Sequence, residues 1–590
     1  MKPIELRQKI LETVSRNGGH LASSLGAVEI AMALAEVFDP EVDRIVWDVG
    51  HQAYAWKLLT GRWDDFDTLR KFGGLSGFPN PAESKADAAV AGHAGVALSV
   101  AEGFAAARDR RGGDEHVVAV IGDASFANGT NFEALNNCAA ATRRLVVVLN
   151  DNDMSIAKPA GSIAKCLGRL TSGIRYNRVK NAAKKVGRAL RLSFLYGAVH
   201  WVKNRLKTMM LRNVWFEEFG FHYLGPVDGH DLEALVSALT AAKEESRPVL
   251  LHVVTKKGRG YGPAEKDPTA WHGVGPFRWP PTSSTIDLAL PFDGGRAAPA
   301  TGWSEAFGAA LCDFAEKDGR IVALTAAMRD GTGLAPFASR FPGRFFDVGI
   351  SEGHMVAFAA GLAAGGMRPV VAVYSTFIQR AVDQVMHDVA ISNLPVVICI
   401  DRAGVVGADG VTHQGLYDMA MLRCLPNVTI CQPKDEEDLR ALLGEALERS
   451  GPTVIRYPRG KVPVAGQSDD GGRPPCGEGQ ARPRFAIWAT GDWYGKAREV
   501  ASRVGGVAVH ARYIKPFDAK LLAEQRAAGM KIVSLENGAV AGGFGEAIGA
   551  DLKFGWPDMF IPHGTQSELE RRYGLDVESI VGRLRSTFNI

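Results

Sequence analysis

The chain alternates short apolar runs with longer segments of mixed polarity over most of its length. In the first half, the apolar runs cover residues 44–48, 117–121, 145–149 and 250–255, and each stops at a polar or glycine-rich turn. Short Val-rich runs with polar boundaries indicate buried parallel strands, and the segments between them indicate crossover helices. This part of the chain is therefore predicted to form a parallel sheet covered by helices.

Two segments rich in proline, glycine and serine, residues 279–300 and 463–483, interrupt this alternation and are predicted to be linkers. A second series of predicted strands and a third, smaller series follow them. The length alone favours roughly four domains, whereas the linkers divide the chain into three. We expect an α/β protein with three tandem, doubly wound domains and mainly parallel sheets, at residues 1–285, 299–465 and 483–590. The later predicted strands are residues 321–324, 345–348, 370–374, 396–400, 428–430, 454–455, 485–488, 507–510 and 532–535.

Composition narrows the class of protein. With 46% hydrophobic and 23% charged residues and a net charge of +3, the chain resembles an ordinary globular protein, and its total charge does not indicate a nucleic-acid partner. The seven cysteines show neither paired nor zinc-ligand spacing, which favours a reducing compartment. No signal core precedes the first helix, and no run of about 18 apolar residues predicts a membrane span. We therefore expect a cytoplasmic protein.

Polar residues follow the two central strands of the first series. Asp123 comes directly after the first run, and Asn152 comes shortly after the second. Open α/β sheets bind ligands at the carboxyl ends of their strands, and carboxylate, amide and carbonyl oxygens suit Mg²⁺ better than Zn²⁺. Asp and Asn also cap turns. The pattern alone leaves both interpretations open.

Residues 154–216 contain no acidic residue and 14 Lys and Arg residues. Such a segment could face a membrane surface or a nucleic acid. It could equally be a mobile basic cover beside a phosphate-bearing site, or simply a solvated helical face. The sequence does not choose among these interpretations.

Several motifs together resemble those of a known family. The spacing of Gly122-Asp123 and Asn152 resembles the thiamine-diphosphate fingerprint of the transketolase superfamily, and the other motifs resemble the 1-deoxy-D-xylulose-5-phosphate synthase family within it. The resemblance runs from about residue 4 to the C-terminus. The motifs are residues 47–54 (WDVGHQAY), 149–152 (LNDN), 225–231 (GPVDGHD), 374–377 (YSTF), 401–404 (DRAG), 407–410 (GADG), 412–415 (THQG) and 456–460 (RYPRG).

The resemblance implies a transferase with transketolase-like domains. Its expected reaction is the decarboxylative condensation of pyruvate with D-glyceraldehyde 3-phosphate, using thiamine diphosphate and Mg²⁺, and its expected assembly is a homodimer. By the same resemblance, residues 1–285 bind the diphosphate and Mg²⁺, residues 299–465 bind the pyrimidine, and residues 483–590 form the C-terminal transketolase-like domain. The cofactor supplies a carbanion that the protein must create, position and shield.

The resemblance also implies roles for individual residues. Glu352 matches the glutamate that hydrogen-bonds the aminopyrimidine, and His20 and His272 match two histidines beside the reacting carbon. Asp123, Asn152 and the Met154 carbonyl match the metal ligands. The other expected cofactor contacts are Ser23, His51, Gly122, Ala124, Ser125, Lys257 and Phe377. The expected substrate contacts are Tyr374, Arg402 and Arg459 at the acceptor phosphate, with Arg380, Asp409 and His413 lining the acceptor site.

The chain departs from the family pattern mainly on the cofactor and donor side. Ala124 stands where the family has a glycine, and residues 93–97 lack the hydroxyls of the family's serine-rich motif. Glu-Gly-His at 352–354 and Asn-Pro at 80–81 replace Glu-Gln-His and Lys-Arg. Two alternatives therefore stay open. The chain could be a paralogous thiamine-diphosphate transferase with another donor or acceptor, or a non-catalytic binder of phosphorylated ligands.

Overall fold

The computed structural model of the protein describes residues 1–152, 214–279, 301–463 and 483–590. The chain divides into two compact units, one of Met1–Arg70 and Gly74–Phe292 and the other of Lys71–Gly73 and Asp293–Ile590. The three domain boundaries expected from the sequence stay a prediction. Met154 and most of the basic segment 154–216 lie outside the described residues.

The first unit contains a five-stranded parallel sheet in the order β2-β3-β4-β6-β5 and a two-stranded antiparallel sheet of β1 and β7. The four strands predicted from the apolar runs are confirmed. β5 escapes prediction because a Gly-Pro pair interrupts its apolar residues, and this pair signals a turn in sequence. The strands are β1 (Gly19–His20), β2 (Arg44–Trp47), β3 (Val117–Gly122), β4 (Leu145–Asp151), β5 (His222–Asp228), β6 (Val249–Val254) and β7 (Gly273–Val274).

Helices cover both faces of the five-stranded sheet. Along β3, Val118 and Val120 belong to the hydrophobic cluster on one face, and Val117, Ala119 and Ile121 belong to the cluster on the other. Burial on both faces explains why these strands are continuous apolar runs instead of alternating ones. The helices are Pro3–Asn17, Leu21–Gly26, Val28–Val37, Tyr54–Leu59, Ala97–Arg111, Asp123–Phe126, Gly129–Ala141, Val214–Glu218, Leu232–Glu244 and Gly262–Lys266, with a 3₁₀ turn at Asp65–Thr68.

The second unit contains two sheets. A seven-stranded sheet has the order β16-β12-β13-β11-β10-β8-β9 and is parallel except for the edge strand β16, and a four-stranded parallel sheet has the order β15-β14-β17-β18. The strands β16 and β18 were not expected from the sequence. The strands are β8 (Ile321–Thr325), β9 (Phe345–Asp347), β10 (Arg368–Tyr374), β11 (Val397–Asp401), β12 (Thr429–Cys431), β13 (Thr453–Arg456), β14 (Phe485–Ala489), β15 (Gly506–His510), β16 (Tyr513–Lys515), β17 (Lys531–Ala539) and β18 (Leu552–Trp556).

Helices also cover both faces of the seven-stranded sheet. Val371 and Val373 of β10 pack into one cluster, and Val370 and Ala372 pack into the other. The observed sheets confirm the doubly wound α/β class. The helices are Trp303–Lys317, Ala335–Arg340, Glu352–Ala364, Ser375–Ile378, Val382–Gln384, Asp418–Arg423, Glu436–Glu448, Tyr494–Val504, Ala519–Ala527, Phe544–Ala547, Gln566–Arg572 and Val577–Phe588. Shorter turns are a π-helical one at Val385–Ala390 and 3₁₀ ones at Pro342–Arg344, Gln379–Ala381, Gly410–Thr412 and Gly491–Trp493.

Within the described ranges, every helix is too short or too polar to cross a membrane.

Candidate active site residues in each unit

The carboxyl ends of β3 and β4 bring Asp123 close to Asn152. The two strands are parallel, with Gly122 opposite Asn150, so the residues that follow them emerge at the same edge of the sheet. The backbone N–H of Asn152 hydrogen-bonds the Asp123 carboxylate, and the Ala124 N–H donates to it at 2.9 Å. The arrangement predicted from the sequence is therefore present for the two described residues of the expected metal-binding set.

The charges at this edge fit a cation. Burial, followed by the negative charge of Asp151, raises the pKa of Asp123 to about 7, against the opposing charge of Lys257. The Asn152 Oδ1 atom is buried and accepts no hydrogen bond from any residue in the described ranges. A buried carboxylate and an unused amide oxygen are suitable Mg²⁺ ligands when ligand phosphates complete the octahedron. Apart from its chain neighbours, no atom of the described residues lies within 4 Å of where a Cβ atom on Gly122 would be.

Described residues contain no group of three His, Cys, Asp or Glu side chains that could hold a metal ion. The expected set of one carboxylate, one amide and one backbone carbonyl would need further oxygen atoms from a bound ligand. Lys257, a buried residue that interacts electrostatically with Asp123, could neutralise part of such a ligand's charge. Burial lowers the pKa of Lys257, and Asp123 opposes this effect.

A second buried carboxyl group, that of Asp48, lies at the same edge of the sheet. Asp48, which follows β2, accepts hydrogen bonds from the N–H groups of Gly95, Val96 and Ala97 at 3.0–3.1 Å and from the hydroxyl of Ser125. Three of these four donors are backbone N–H groups at the start of the Ala97–Arg111 helix, where N–H groups have no partner within the helix. The Ser125 hydroxyl, which was expected at the cofactor, is thus engaged within the protein.

Three histidines lie together in the first unit. The ring centroids of His20, His51 and His272 are 5.1–5.8 Å apart, and Ser23 Oγ lies 3.4 Å from His272 Nδ1. The pairing of His20 in β1 with Gly273 in β7 brings the expected donor-site histidines together. Burial, followed by the charges of Lys257 and His20, lowers the pKa of His272 well below its usual value. His272 is therefore neutral at neutral pH.

In the second unit, Glu352 is the first residue of the Glu352–Ala364 helix and is 4% exposed. Its Oε2 atom is buried, accepts no hydrogen bond from the part of the chain that the structure describes, and lies 3.8 Å from Arg380 Nη1. Burial raises the pKa of Glu352, and Arg380 opposes this effect. A buried carboxyl that holds its proton more tightly than usual suits proton exchange with a ring nitrogen.

The three residues expected at the acceptor phosphate, which we call the phosphate anchor, lie at or just after the carboxyl ends of neighbouring strands: Tyr374, Arg402 and Arg459. The Arg402 guanidinium carbon lies 3.9 Å from the centroid of the Tyr374 ring. Tyr374 also interacts electrostatically with Arg459 and Asp409. Burial is the main cause that raises the pKa of Tyr374 to about 12. Arg402 has a φ of 58°, a conformation that costs a non-glycine residue energy and that is often found at functional sites.

Aromatic rings continue from the phosphate anchor. Phe377 stacks on Tyr374 with centroids 5.7 Å apart, and its ring also lies 5.7 Å from that of His413. Thr412 Oγ1 lies 2.9 Å from His413 Nδ1. The fold therefore gathers the expected acceptor-site residues of the second unit around Tyr374 and Phe377, with Arg380 beside Glu352.

Comparison with known proteins identifies the family. Residues 3–255 match the family model described as 1-deoxy-D-xylulose-5-phosphate synthase, and residues 300–464 match transketolase, pyrimidine binding domain. A protein of Desulforudis audaxviator called 1-deoxy-D-xylulose-5-phosphate synthase is 46% identical, with 98% of this chain and 93% of the relative covered. The chain belongs to the 1-deoxy-D-xylulose-5-phosphate synthase family. This confirms the resemblance found in the sequence motifs.

Other relatives agree with this family. The 1-deoxy-D-xylulose-5-phosphate synthase 1 of Geobacter metallireducens is 46% identical, covering 99% of this chain and 95% of its own. Among solved structures, the transketolase of Campylobacter jejuni is 18% identical and aligns over 99% of this chain and 98% of its own, with a TM-score of 0.44. The fold class is shown by the parallel sheets of the two units and does not depend on this structural likeness.

Some residues that shape the site were missed in the sequence. His252 Nε2 lies 3.0 Å from Asp151 Oδ2, and His252 Nδ1 lies 2.8 Å from the Tyr223 hydroxyl, which forms a buried chain behind Asn152. A histidine inside the apolar run of β6 was the available signal, because an unpaired polar group there would be costly. For Asp48, the signal was its position after a predicted strand, the same position that singled out Asp123.

Proposed function

We propose that this protein catalyses the thiamine-diphosphate-dependent decarboxylative condensation of pyruvate with D-glyceraldehyde 3-phosphate, giving 1-deoxy-D-xylulose 5-phosphate and CO₂. The observation that carries the proposal is the 46% identity over nearly the whole chain to relatives with this name. The buried oxygens of Asn152 and Glu352, which accept no hydrogen bond from the described residues, support it, because each offers an acceptor where the family's cofactor would need one. Thiamine diphosphate, when bound, supplies the carbon nucleophile for the keto group of pyruvate.

Asp123, Asn152 and the carbonyl of Met154 would hold Mg²⁺, and Lys257 would contact the diphosphate. Burial and then the negative charge of Asp151 raise the pKa of Asp123, and a divalent cation would offset both effects by stabilising the ionised carboxylate. Ser23, His51 and the backbone at Gly122, Ala124 and Ser125 would complete the cofactor contacts.

Glu352 would act at the pyrimidine end of the cofactor, with Phe377 stacking on the ring. Its buried carboxyl can share a proton with a ring nitrogen, and burial keeps that proton bound at higher pH than in an exposed glutamate. Arg380 limits this effect through its opposite charge. The role assigned to Glu352 is therefore proton exchange, with Arg380 adjusting its acidity.

His20 and His272 would act on the donor. A neutral His272 can accept a proton, and its position next to His20 would allow the pair to orient the pyruvate carboxylate until it leaves as CO₂. Ser23 Oγ lies 3.4 Å from His272 Nδ1 and would help to orient the His272 ring.

The phosphate anchor would bind the acceptor. Arginine donors are arranged in a fork that matches phosphate oxygens, and the Tyr374 hydroxyl supplies a further donor. Asp409 and His413 would line the path of the aldehyde. This set of residues supports a phosphorylated acceptor over a neutral one.

The test is an incubation of the purified protein with thiamine diphosphate, Mg²⁺, ¹³C-labelled pyruvate and glyceraldehyde 3-phosphate, followed by NMR. The proposal expects labelled 1-deoxy-D-xylulose 5-phosphate and CO₂ in equal amounts. Decarboxylation without this product would favour a paralogous transferase with another acceptor. Absence of cofactor binding would favour a non-catalytic binder of phosphorylated ligands.

Three expectations complete the proposal. We propose that the protein is a homodimer and that it acts in the cytoplasm. We also propose three domains: residues 1–285 bind the diphosphate, residues 299–465 bind the pyrimidine, and residues 483–590 form the C-terminal domain. Light scattering of the purified protein tests the first, and a mass equal to one chain would contradict it. Limited proteolysis tests the third, with cleavage expected near residues 279–300 and 463–483.

A further inference from the structure

The motif at residues 225–231 has no role in the reaction described above, yet its histidine sits at a specific junction. His230 Nδ1 lies 3.1 Å from Glu29 Oε2, and His230 Nε2 accepts the backbone N–H of Lys256 at 2.9 Å. Arg7 donates to the same Glu29 oxygen at 2.7 Å. The histidine thus links a helix of the N-terminal region to the turn that follows β6.

The hydrogen bonds define the tautomer of His230. A backbone N–H can only donate, so Nε2 must present its lone pair to Lys256, and the ring proton must be on Nδ1, where it donates to the Glu29 carboxylate. Both ring nitrogens are therefore used, and the ring cannot flip without losing both contacts. The two hydrogen bonds hold the ring in one orientation, and we call His230 with its partners Glu29 and Lys256 the bracket.

Two glycines, Gly229 and Gly26, allow the backbone to come close to the turn after β6. A Cβ atom at Gly229 would lie 2.5 Å from Thr255 Cγ2 and 2.9 Å from the Val254 carbonyl oxygen, so only glycine lets residue 230 approach the end of β6. From the opposite side, a Cβ at Gly26 would lie 3.0 Å from the Lys256 carbonyl oxygen. The turn after β6 is held closely between these two glycines.

The residue that this turn carries is Lys257. The N–H before it, at Lys256, is held by His230, and the N–H after it, at Gly258, donates to the Ala22 carbonyl at 2.8 Å. The side chain of Lys256 turns to Glu265, whereas that of Lys257 is buried and interacts with Asp123. Clamps on both neighbours fix the backbone from which the Lys257 side chain extends.

We propose that His230 is a positioning residue for the cofactor's diphosphate: it fixes the turn at Lys256 so that the Lys257 ammonium is held beside Asp123. This inference rests on the proposed function, because it takes Lys257 as a diphosphate contact. Preorganisation of a charged group saves the cost of ordering it when the ligand binds. Loss of the bracket is therefore expected to weaken cofactor binding through Lys257.

The experiment is a double-mutant cycle on the full-length protein, with the affinity for thiamine diphosphate in saturating Mg²⁺ measured by calorimetry. His230→Ala is expected to weaken binding about tenfold, and Lys257→Met by at least as much. In the Lys257→Met background, His230→Ala is expected to change the affinity less than about twofold. His230→Gln, which keeps an acceptor for the Lys256 N–H and a donor for Glu29, is expected to restore most of the affinity.

The matched control is His222→Ala. His222 begins β5 and contacts Arg247 at 2.7 Å on the surface, so its loss should leave the affinity unchanged. Thermal unfolding of each variant without cofactor separates binding from folding. If His230→Ala does not fold, His230→Phe keeps the ring volume and removes both nitrogens, and the same cycle is measured with it.

The possible results distinguish a failure of the positioning role of His230 from a failure of the proposed function. Equal weakening by the His230 substitution in both backgrounds, or no weakening in either, would overturn the positioning role while leaving Lys257 at the diphosphate. Wild-type affinity in Lys257→Met would remove Lys257 from the diphosphate site, and with it the basis of the inference. Coupling between the two substitutions, measured at a temperature at which every variant is folded, is the result that supports it.

Discussion

Arg402 lies across the ring of Tyr374, with 3.9 Å between its guanidinium carbon and the ring centroid. The same guanidinium donates through Nη1 to the Gly331 carbonyl at 2.8 Å and lies 3.0 Å from Asp401 Oδ1. Asp401 is itself fixed by the Ser304 hydroxyl at 2.6 Å. The arginine is therefore held in place before any ligand arrives, which is what preorganised phosphate binding requires.

Replacing this arginine should mainly weaken acceptor binding. We expect Arg402→Ala to raise the KM for glyceraldehyde 3-phosphate by about tenfold to a hundredfold, since one charge-assisted contact to phosphate is lost. The KM for pyruvate should change little, because the pyruvate site is assigned to other residues. Steady-state kinetics with each substrate varied in turn measures both values.

Arg449→Ala is a suitable control for that substitution, since Arg449 also lies over a tyrosine, Tyr513, at 5.4 Å and is assigned no ligand. Its KM values should equal those of the wild type. An unchanged acceptor KM in Arg402→Ala would remove Arg402 from the phosphate anchor.

A second prediction concerns Ser125, whose hydroxyl donates to the buried Asp48 and accepts the Gly95 N–H at 2.9 Å. Ser125→Ala should lower the free energy of unfolding by about 2 kcal/mol, because it removes one of the four hydrogen-bond donors to the buried Asp48 carboxyl group. Urea denaturation of the protein without cofactor measures this change. Ser502→Ala, which removes an exposed hydroxyl bonded to Glu499, should cost less than about 0.5 kcal/mol and is the control. Equal stabilities of the two variants would contradict the structural role of Ser125.

The sequence predicts the positions after strands better than the contacts behind them. Asp123 and Asn152 were found because parallel strands end at one edge, and Glu352 was found through the family motif. The link from Tyr374 to Arg402 could not be derived from spacing, because it depends on a left-handed residue after β11. The hydrogen bonds of Asp48 and His230 join segments that are far apart in sequence, and no local pattern shows which partner each side chain contacts.

Strand prediction failed where composition mimics a turn. β5 contains Gly225-Pro226, and β18 contains Lys553 and Gly555 among its apolar residues. Strands that are buried on both faces, such as β3 and β4, give an unambiguous apolar run. β5 and β18 are partly exposed and contain these turn-favouring residues, so they lack such a run.

A third prediction uses the acidity of Glu29. Burial alone would raise its pKa, but the hydrogen bonds with His230 and Arg7 outweigh burial and lower the pKa to about 2. A carboxylate with a lowered folded-state pKa stabilises the fold above its unfolded pKa, and this stabilisation is lost as pH falls from 4.5 towards 2. Glu29→Gln should therefore reduce the loss of stability over this acidic range.

Denaturant unfolding at about pH 6 and about pH 3 measures this dependence. Glu36→Gln, at an exposed helical position, is the control and should keep the wild-type pH dependence. The same loss of stability in wild type and Glu29→Gln would show that this carboxylate does not contribute to the acid sensitivity.

The proposed reaction requires the buried carboxyl of Glu352 to act on bound thiamine diphosphate. The most direct measurement is the rate of hydrogen–deuterium exchange at C2 of the bound cofactor, followed by quenched-flow NMR in wild type and Glu352→Gln at equal occupancy. We predict that exchange in the variant slows by about a hundredfold or more, the range expected on loss of an acid–base group. Exchange at the wild-type rate in fully loaded Glu352→Gln would contradict the account.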